Sequence, residues 1–297
     1  MLKHKKSIHV ITFVFGLLLF LYAIFTAIFF HNTRFYTLFA LGAYLVLDFI
    51  DYKINKTSVM VFFLNRSHWY ALPAFLAFPT VGCFIVDFVL GVNTAKMWKW
   101  ANYNAFDFTV MFTFMNVSYI LGMYEIFRIV HSFFKGKVTE RHLIRFRIPY
   151  GIKLPVEILA IIIGLAGLAA PFWVALAKSG PPIEFVMLMP FAGLVLIPDA
   201  VTFLLHGKPI IPEIIRMSLL LVLTLFFTIG IASLGTEILN LFGGEWEYLR
   251  MPFRHLTVLS VPVAVFIGWV PLVISTICMV TLAKHLTYIY DLKKKTD

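Results

Sequence analysis

The chain is poor in charge, in cysteine and in recognisable catalytic signatures, and each shortage excludes something. Charged residues make up 13% of its 297 residues, against 61% hydrophobic residues. A soluble domain carries about twice that share of charge and cannot hide so much apolar surface, whereas a bilayer can. The two cysteines, Cys83 and Cys278, both fall in apolar segments, so there is no disulfide framework and no cysteine metal site. The nine histidines are scattered and no two have close helical spacing, which excludes the histidine boxes of a di-iron desaturase. No P-loop, GxGxxG, HExxH or GxSxG element is present. The aspartate-rich DDxxD pattern of prenyl-diphosphate enzymes is missing too. No metal ligand set and no cofactor motif is expected.

Apolar residues dominate what is there. Phenylalanine alone supplies 32 residues, and mean hydropathy is +0.89. Eight apolar segments are long enough, or nearly so, to span a membrane: 8–30, 35–50, 69–91, 106–134, 154–178, 182–206, 213–241 and 255–286. The second, at 16 residues, is the shortest. The net charge of +10 would suggest nucleic acid in a soluble protein. Here lysine and arginine sit in loops and tails. With the N-terminus inside, 18 of them fall on cytoplasmic loops, tails and helix ends, six on the opposite side, and Arg128 lies within a helix. That bias predicts eight spans with both termini cytoplasmic and no nucleic-acid partner.

The expected fold is all-α, a polytopic transmembrane helical bundle built as a parallel four-plus-four internal repeat. Asp51 and Asp199, Trp98 and Trp246, and Trp100 and Tyr248 are each 148 residues apart. Asp87 and Glu237 are 150 apart, and Gly122 and Gly268 are 146 apart. An even number of spans per half keeps both halves in one orientation, so the repeat axis should run along the membrane normal. The first half is 1–134, the basic cytoplasmic linker 135–153 and the second half 154–297.

Intramembrane acids are costly and face a bundle interior. Asp87 and Glu237 are expected near the non-cytoplasmic ends of the third and seventh helices. Each is followed by an aromatic pair, Trp98 with Trp100 and Trp246 with Tyr248. An acid beside electron-rich rings can bind a cation through cation–π attraction. It can also donate a proton to an alkene, with the rings stabilising the carbocation. The plainer alternative is an interfacial aromatic belt with acids near water. Glu125 is a third candidate acid, spaced to pair with Arg128 three residues on. Asp199 and Arg250 complete the candidate binding set, Arg250 as a partner for an anionic headgroup.

The segment 236–269, TEILNLFGGEWEYLRMPFRHLTVLSVPVAVFIGW, resembles part of the lycopene cyclase domain and related carotenoid-biosynthesis membrane proteins. The positions that carry the resemblance are Glu237, Gly244, Trp246, Tyr248 and Pro262. The segment is equally similar to uncharacterised prokaryotic polytopic membrane proteins. The chain departs from the cyclase pattern at Pro271, which is followed by Leu272 and Val273 and not by paired glutamates. The resemblance implies an apolar isoprenoid or carotenoid substrate, with Asp87, Glu237 and Glu125 in acid–base roles. The expected function is action on, or binding of, an apolar lipid between two helical halves, with membrane lipid and a hydrophobic small molecule as partners. An ion-coupled or small-molecule transporter and a non-catalytic membrane subunit are the alternatives. The expected location is a prokaryotic plasma membrane, and no oligomeric state is implied.

Overall fold

A computed structural model describes residues 2–64, 84–101, 103–138, 142, 144, 149–177 and 186–296. The described residues form α1 (Leu2–Phe30), α2 (Tyr36–Asn55), α3 (Val59–Leu64), α4 (Phe84–Thr94), β1 (Trp98–Trp100), α5 (Ala105–Phe134), α6 (Tyr150–Ala177), α7 (Leu188–Leu204), α8 (Ile211–Ile215), α9 (Leu219–Gly243), β2 (Trp246–Tyr248), β3 (Thr257–Val258), β4 (Val261–Pro262) and α10 (Val263–Thr296). The protein is mostly helical, and the described residues include two short antiparallel ribbons that the all-α expectation did not contain.

Among the described residues, four helices are long and apolar enough to cross a membrane: His9–Phe30, Ile152–Ala177, Leu219–Gly243 and Val263–Ile289. They coincide with the first, fifth, seventh and eighth predicted segments. Their apolar surface explains why they need a bilayer. On α1, Ile11, Leu18 and Phe29 are exposed, and on α6 so are Leu159, Leu165, Trp173 and Leu176. Such runs are a liability in water and a requirement in lipid. The remaining predicted segments overlap helices that carry more charge (α2 and α5) or are shorter (α4 and α7). The predicted segment 69–91 lies outside the described residues as far as residue 83, as does the start of 182–206. Cys83 and the linker residues 139–141, 143 and 145–148 also lie outside them.

Two predicted spans begin differently. Segment 213–241 splits into α8 and α9, because Met217 takes φ 50° and breaks the helix between them. Segment 255–286 starts with the β3–β4 hairpin, whose two-residue turn, Leu259 and Ser260, has φ 50° and 61°. A turn with both central φ positive matches the twist of a hairpin. Neither residue advertises it, since asparagine and glycine are the usual occupants.

Helix α1 packs on α2 and α6 on α7, α2 packs on α5 and α7 on α10, and α5 also meets α9 and α10. The first two contacts depend on glycine. A Cβ at Gly42 would meet the Phe20 amide nitrogen at 2.5 Å and the Gly16 carbonyl at 2.8 Å, and one at Gly193 would meet the Gly164 carbonyl at 2.5 Å. Small residues are what let membrane helices approach this closely. The strands β1 and β2 join distant parts of the chain, pairing Trp98 with Tyr248, Lys99 with Glu247 and Trp100 with Trp246.

Candidate functional site

The site is assembled around the β1–β2 ribbon. Helix α4 is wound as a π-helix, with amide bonds such as Ala95 N–H to the Leu90 carbonyl at 2.7 Å. π-Helical turns are rare and recur at functional sites. Here the turn delivers the chain to β1, and the Trp98 ring lies against Gly91, where any side chain would displace it. In that position Trp98 Nε1 donates to Asp87 Oδ1 at 2.6 Å.

The second acid is held in a related way. Trp246 Nε1 donates to the Tyr248 hydroxyl at 2.9 Å, and that hydroxyl lies 2.9 Å from both oxygens of Glu237. Trp269 Nε1, from α10, donates to Glu237 Oε1 at 3.2 Å. Glu237 is 3% exposed, so these aromatic donors replace the water it gives up. The rings also pack on one another. Trp100 and Trp246 are 5.4 Å apart between centroids, Tyr36 stands edge-on to Trp246 at 5.0 Å, and Tyr119 does so to Trp269 at 5.5 Å.

A cavity of about 200 Å³ lies between these groups. Asp87 and Glu237 line it, as do Trp98, Trp100, Trp246 and Tyr248. Six of the residues singled out from the sequence therefore share one space. The rest of the wall is largely carbon, including Met97, Met115, Met187, Met251, Phe191 and Val265. Gly268 also faces it, and a Cβ there would meet no atom within 4 Å. Leu188 lines the cavity and is also exposed at the start of α7, so the cavity wall reaches the surface there. Comparison with protein-family models, with curated proteins and with solved structures gave no match. The site must be read from its own chemistry.

Glu125, Asp199 and Arg250 do not line this cavity. Glu125 is fully buried, and its Oε1 accepts from the Val59 amide at 2.7 Å, while Asp48 Oδ1 accepts from Met60 at 2.8 Å. These two acids take up the first amides of α3. Arg128 Nε lies 2.9 Å from Asp51 Oδ2 and 4.0 Å from Glu125 Oε2, so its main partner is Asp51 and not the expected Glu125. Asp199 Oδ1 accepts from Ile210 at 2.5 Å, and its Oδ2 accepts from Ile211 at 3.2 Å, at the start of α8. Asp199 thus shares its role with Asp48 and not with Asp51, its match at 148 residues. Arg250 is exposed, and its amide donates to the Met97 carbonyl at 3.0 Å.

Several residues of the site region were not singled out from the sequence, Trp269 and Tyr36 among them, and two carry polar groups that bear on its chemistry. Glu245 is fully buried beside the ribbon, where its Oε2 accepts from the Tyr36 amide at 2.6 Å and its Oε1 from the Tyr103 hydroxyl. Burial raises its carboxyl to about 8, although the bonds from Tyr103 and Tyr36 and the nearby Arg34 pull the other way. Asn116, on α5, lines the cavity at 5% exposure, and its side-chain nitrogen has no partner. Among the described residues, no group of histidine, cysteine and acidic side chains could hold a metal ion.

Proposed function

We propose that this is an integral membrane protein that binds an apolar lipid of isoprenoid type between two duplicated halves and acts on it by proton transfer. The observation that supports this most is the single cavity in which Asp87 and Glu237 meet Trp98, Trp100, Trp246 and Tyr248. In the proposed reaction one carboxyl gives its proton to an alkene carbon, and the π pair forms the new C–H bond. The indole and phenol faces stabilise the carbocation left behind. Loss of a proton from the adjacent carbon to a carboxylate restores a double bond. The net change is an isomerisation; where a second alkene of the same molecule first gives its π pair to the cation, a C–C bond forms, the charge moves to that alkene's other carbon, and proton loss from there leaves a ring. Neither outcome needs an oxidant. The exposed Leu188 at the cavity wall fits lateral entry from the bilayer.

The duplication draws support from several local correspondences. Gly16 touches Gly42 and Gly164 touches Gly193, at offsets of 148 and 151 residues. Asp48 caps Met60 as Asp199 caps Ile211, both at an offset of 151. The β1–β2 register places Lys99 opposite Glu247, 148 residues on, with the aromatic pairs exchanged about that point, as a local twofold axis requires. In this reading the chain has about eight spans, with both termini cytoplasmic in a prokaryotic plasma membrane. Residues 1–134 and 154–297 are its halves, joined by the basic linker.

The test is mass spectrometry of small molecules that co-purify with the protein in nanodiscs. Wild type should retain a specific isoprenoid that the Asp87→Asn/Glu237→Gln double variant loses while staying folded. Bulk lipid alone in both samples would overturn the reading. A carrier is the second reading. It is favoured by a separate cleft lined by Asn55, Arg128, His131 and Glu213, in which Arg128 and Asn55 both contact the buried Asp51.

A further inference from the structure

We infer that the ligand of the central cavity is a neutral, oxygen-bearing apolar molecule whose oxygen accepts a hydrogen bond from Asn116. This rests on the proposal that the cavity holds an apolar lipid, and it names which kind.

Most polar groups on the cavity wall are already engaged. The Trp98 indole N–H is committed to Asp87, and the Tyr248 hydroxyl and the Trp269 indole N–H are committed to Glu237. Thr236 is hydrogen-bonded with Tyr36. The Asn116 side-chain nitrogen stands apart, being 95% buried by residue and without an acceptor. A buried amide N–H is nearly always paired, and its exceptions mark a missing water, ion or ligand. Asn116 lines the same wall as Met115 and Tyr119, so a small turn of its amide presents the nitrogen to an acceptor held in the cavity.

The identity of the acceptor follows from its surroundings. A phosphate or carboxylate would enter a space walled by two acids, and among the described residues no lysine or arginine lines it. A cation has no use for an amide donor. A neutral hydroxyl, ketone or ether oxygen suits both the donor and the carbon-rich walls. At about 200 Å³ the cavity is smaller than the usual site for a drug-sized ligand. It accommodates the oxygenated end of a longer chain.

The experiment uses the full-length protein in nanodiscs and two probes of matched skeleton, farnesol and its hydrocarbon relative farnesene. Binding is read by the fluorescence of the cavity tryptophans and by competition between the probes. Farnesol is expected to bind wild type about tenfold more tightly, which corresponds to about one hydrogen bond. The Asn116→Leu variant should bind both probes alike, at the wild-type affinity for farnesene. Equal affinity of wild type for both probes would overturn the inference while leaving an apolar-ligand site in place, since a water would then satisfy Asn116. A retained preference in Asn116→Leu would overturn it in the same way. Failure of wild type to bind either probe would remove the apolar-ligand reading itself, and this inference with it.

Discussion

At the scale of single residues, burial divides the acids by what they touch. Asp87 and Glu237 face a cavity through aromatic donors, whereas Asp48, Glu125 and Asp199 each give at least one oxygen to a backbone amide. In the proposed function the first pair exchanges protons with the ligand, whereas the second group holds chain turns in place. Glu245 belongs with neither. It ties the ribbon to the start of α2 through the Tyr36 amide and reaches Tyr103. Its folded carboxyl titrates at about 8, above the ordinary 4.5, so the folded state keeps a proton that the unfolded chain releases. The stability it contributes is therefore full below pH about 4.5 and falls as pH rises to about 8, at up to about 1.4 kcal/mol per pH unit. Thermal unfolding in detergent should show the midpoint dropping over that window. Glu245→Gln keeps a carbonyl oxygen for Tyr36 and should flatten the drop, and an unchanged slope would show that another group sets it. Asp87 and Glu237 were legible in the sequence because acids are rare in apolar runs. Glu245 was not, because an acid after two glycines looks like an ordinary loop residue. Asn116 was hidden for the opposite reason, as a small polar residue inside a long apolar run.

At the scale of elements, helix crossings depend on what is missing as much as on what packs. Gly42 and Gly193 let α1 approach α2 and α6 approach α7 to backbone contact. Gly42→Val and Gly193→Val should each destabilise the protein by about 1–3 kcal/mol or more, since neither crossing can give without moving a helix. Gly230, in the middle of α9, has nothing within 4 Å of a Cβ. Gly230→Ala should be neutral or stabilising by up to about 1 kcal/mol. Unfolding midpoints of the three variants in one detergent check the contrast, and equal effects would mean that the crossings are not tight. The helices themselves were largely legible, because an apolar run of this length suits a bilayer and little else. Their ends were less so. The break at Met217 and the turn at Leu259 and Ser260 use positive φ at residues that rarely adopt it. The π-helical winding of α4 has no signature in its sequence, FIVDFVLGVNT.

At the scale of the whole molecule, the proposed duplication and the proposed function meet at one pair of residues. A twofold axis that relates the halves would pass between Lys99 and Glu247, which face each other across β1 and β2 and form an exposed ion pair at 2.8 Å. The ion pair itself contributes little, because exposed pairs are worth at most about 1 kcal/mol. Its position matters more. Directly opposed residues in an antiparallel pair lie within disulfide reach, so Lys99→Cys/Glu247→Cys should oxidise readily in a background with Cys83 and Cys278 replaced by alanine. With a protease site inserted in the linker, the cut halves should then migrate together until reductant is added. The same lock separates the two functional readings. A carrier that rocks one half against the other needs this seam to open, and the lock should abolish transport. A lipid enzyme entered from the side keeps its site intact with the seam closed. The oxidised protein should therefore retain its bound isoprenoid and its turnover within about twofold of the reduced form. Loss of lipid on oxidation, regained with reductant, would mean that the halves must part for the ligand to enter, and the weight would move to the carrier.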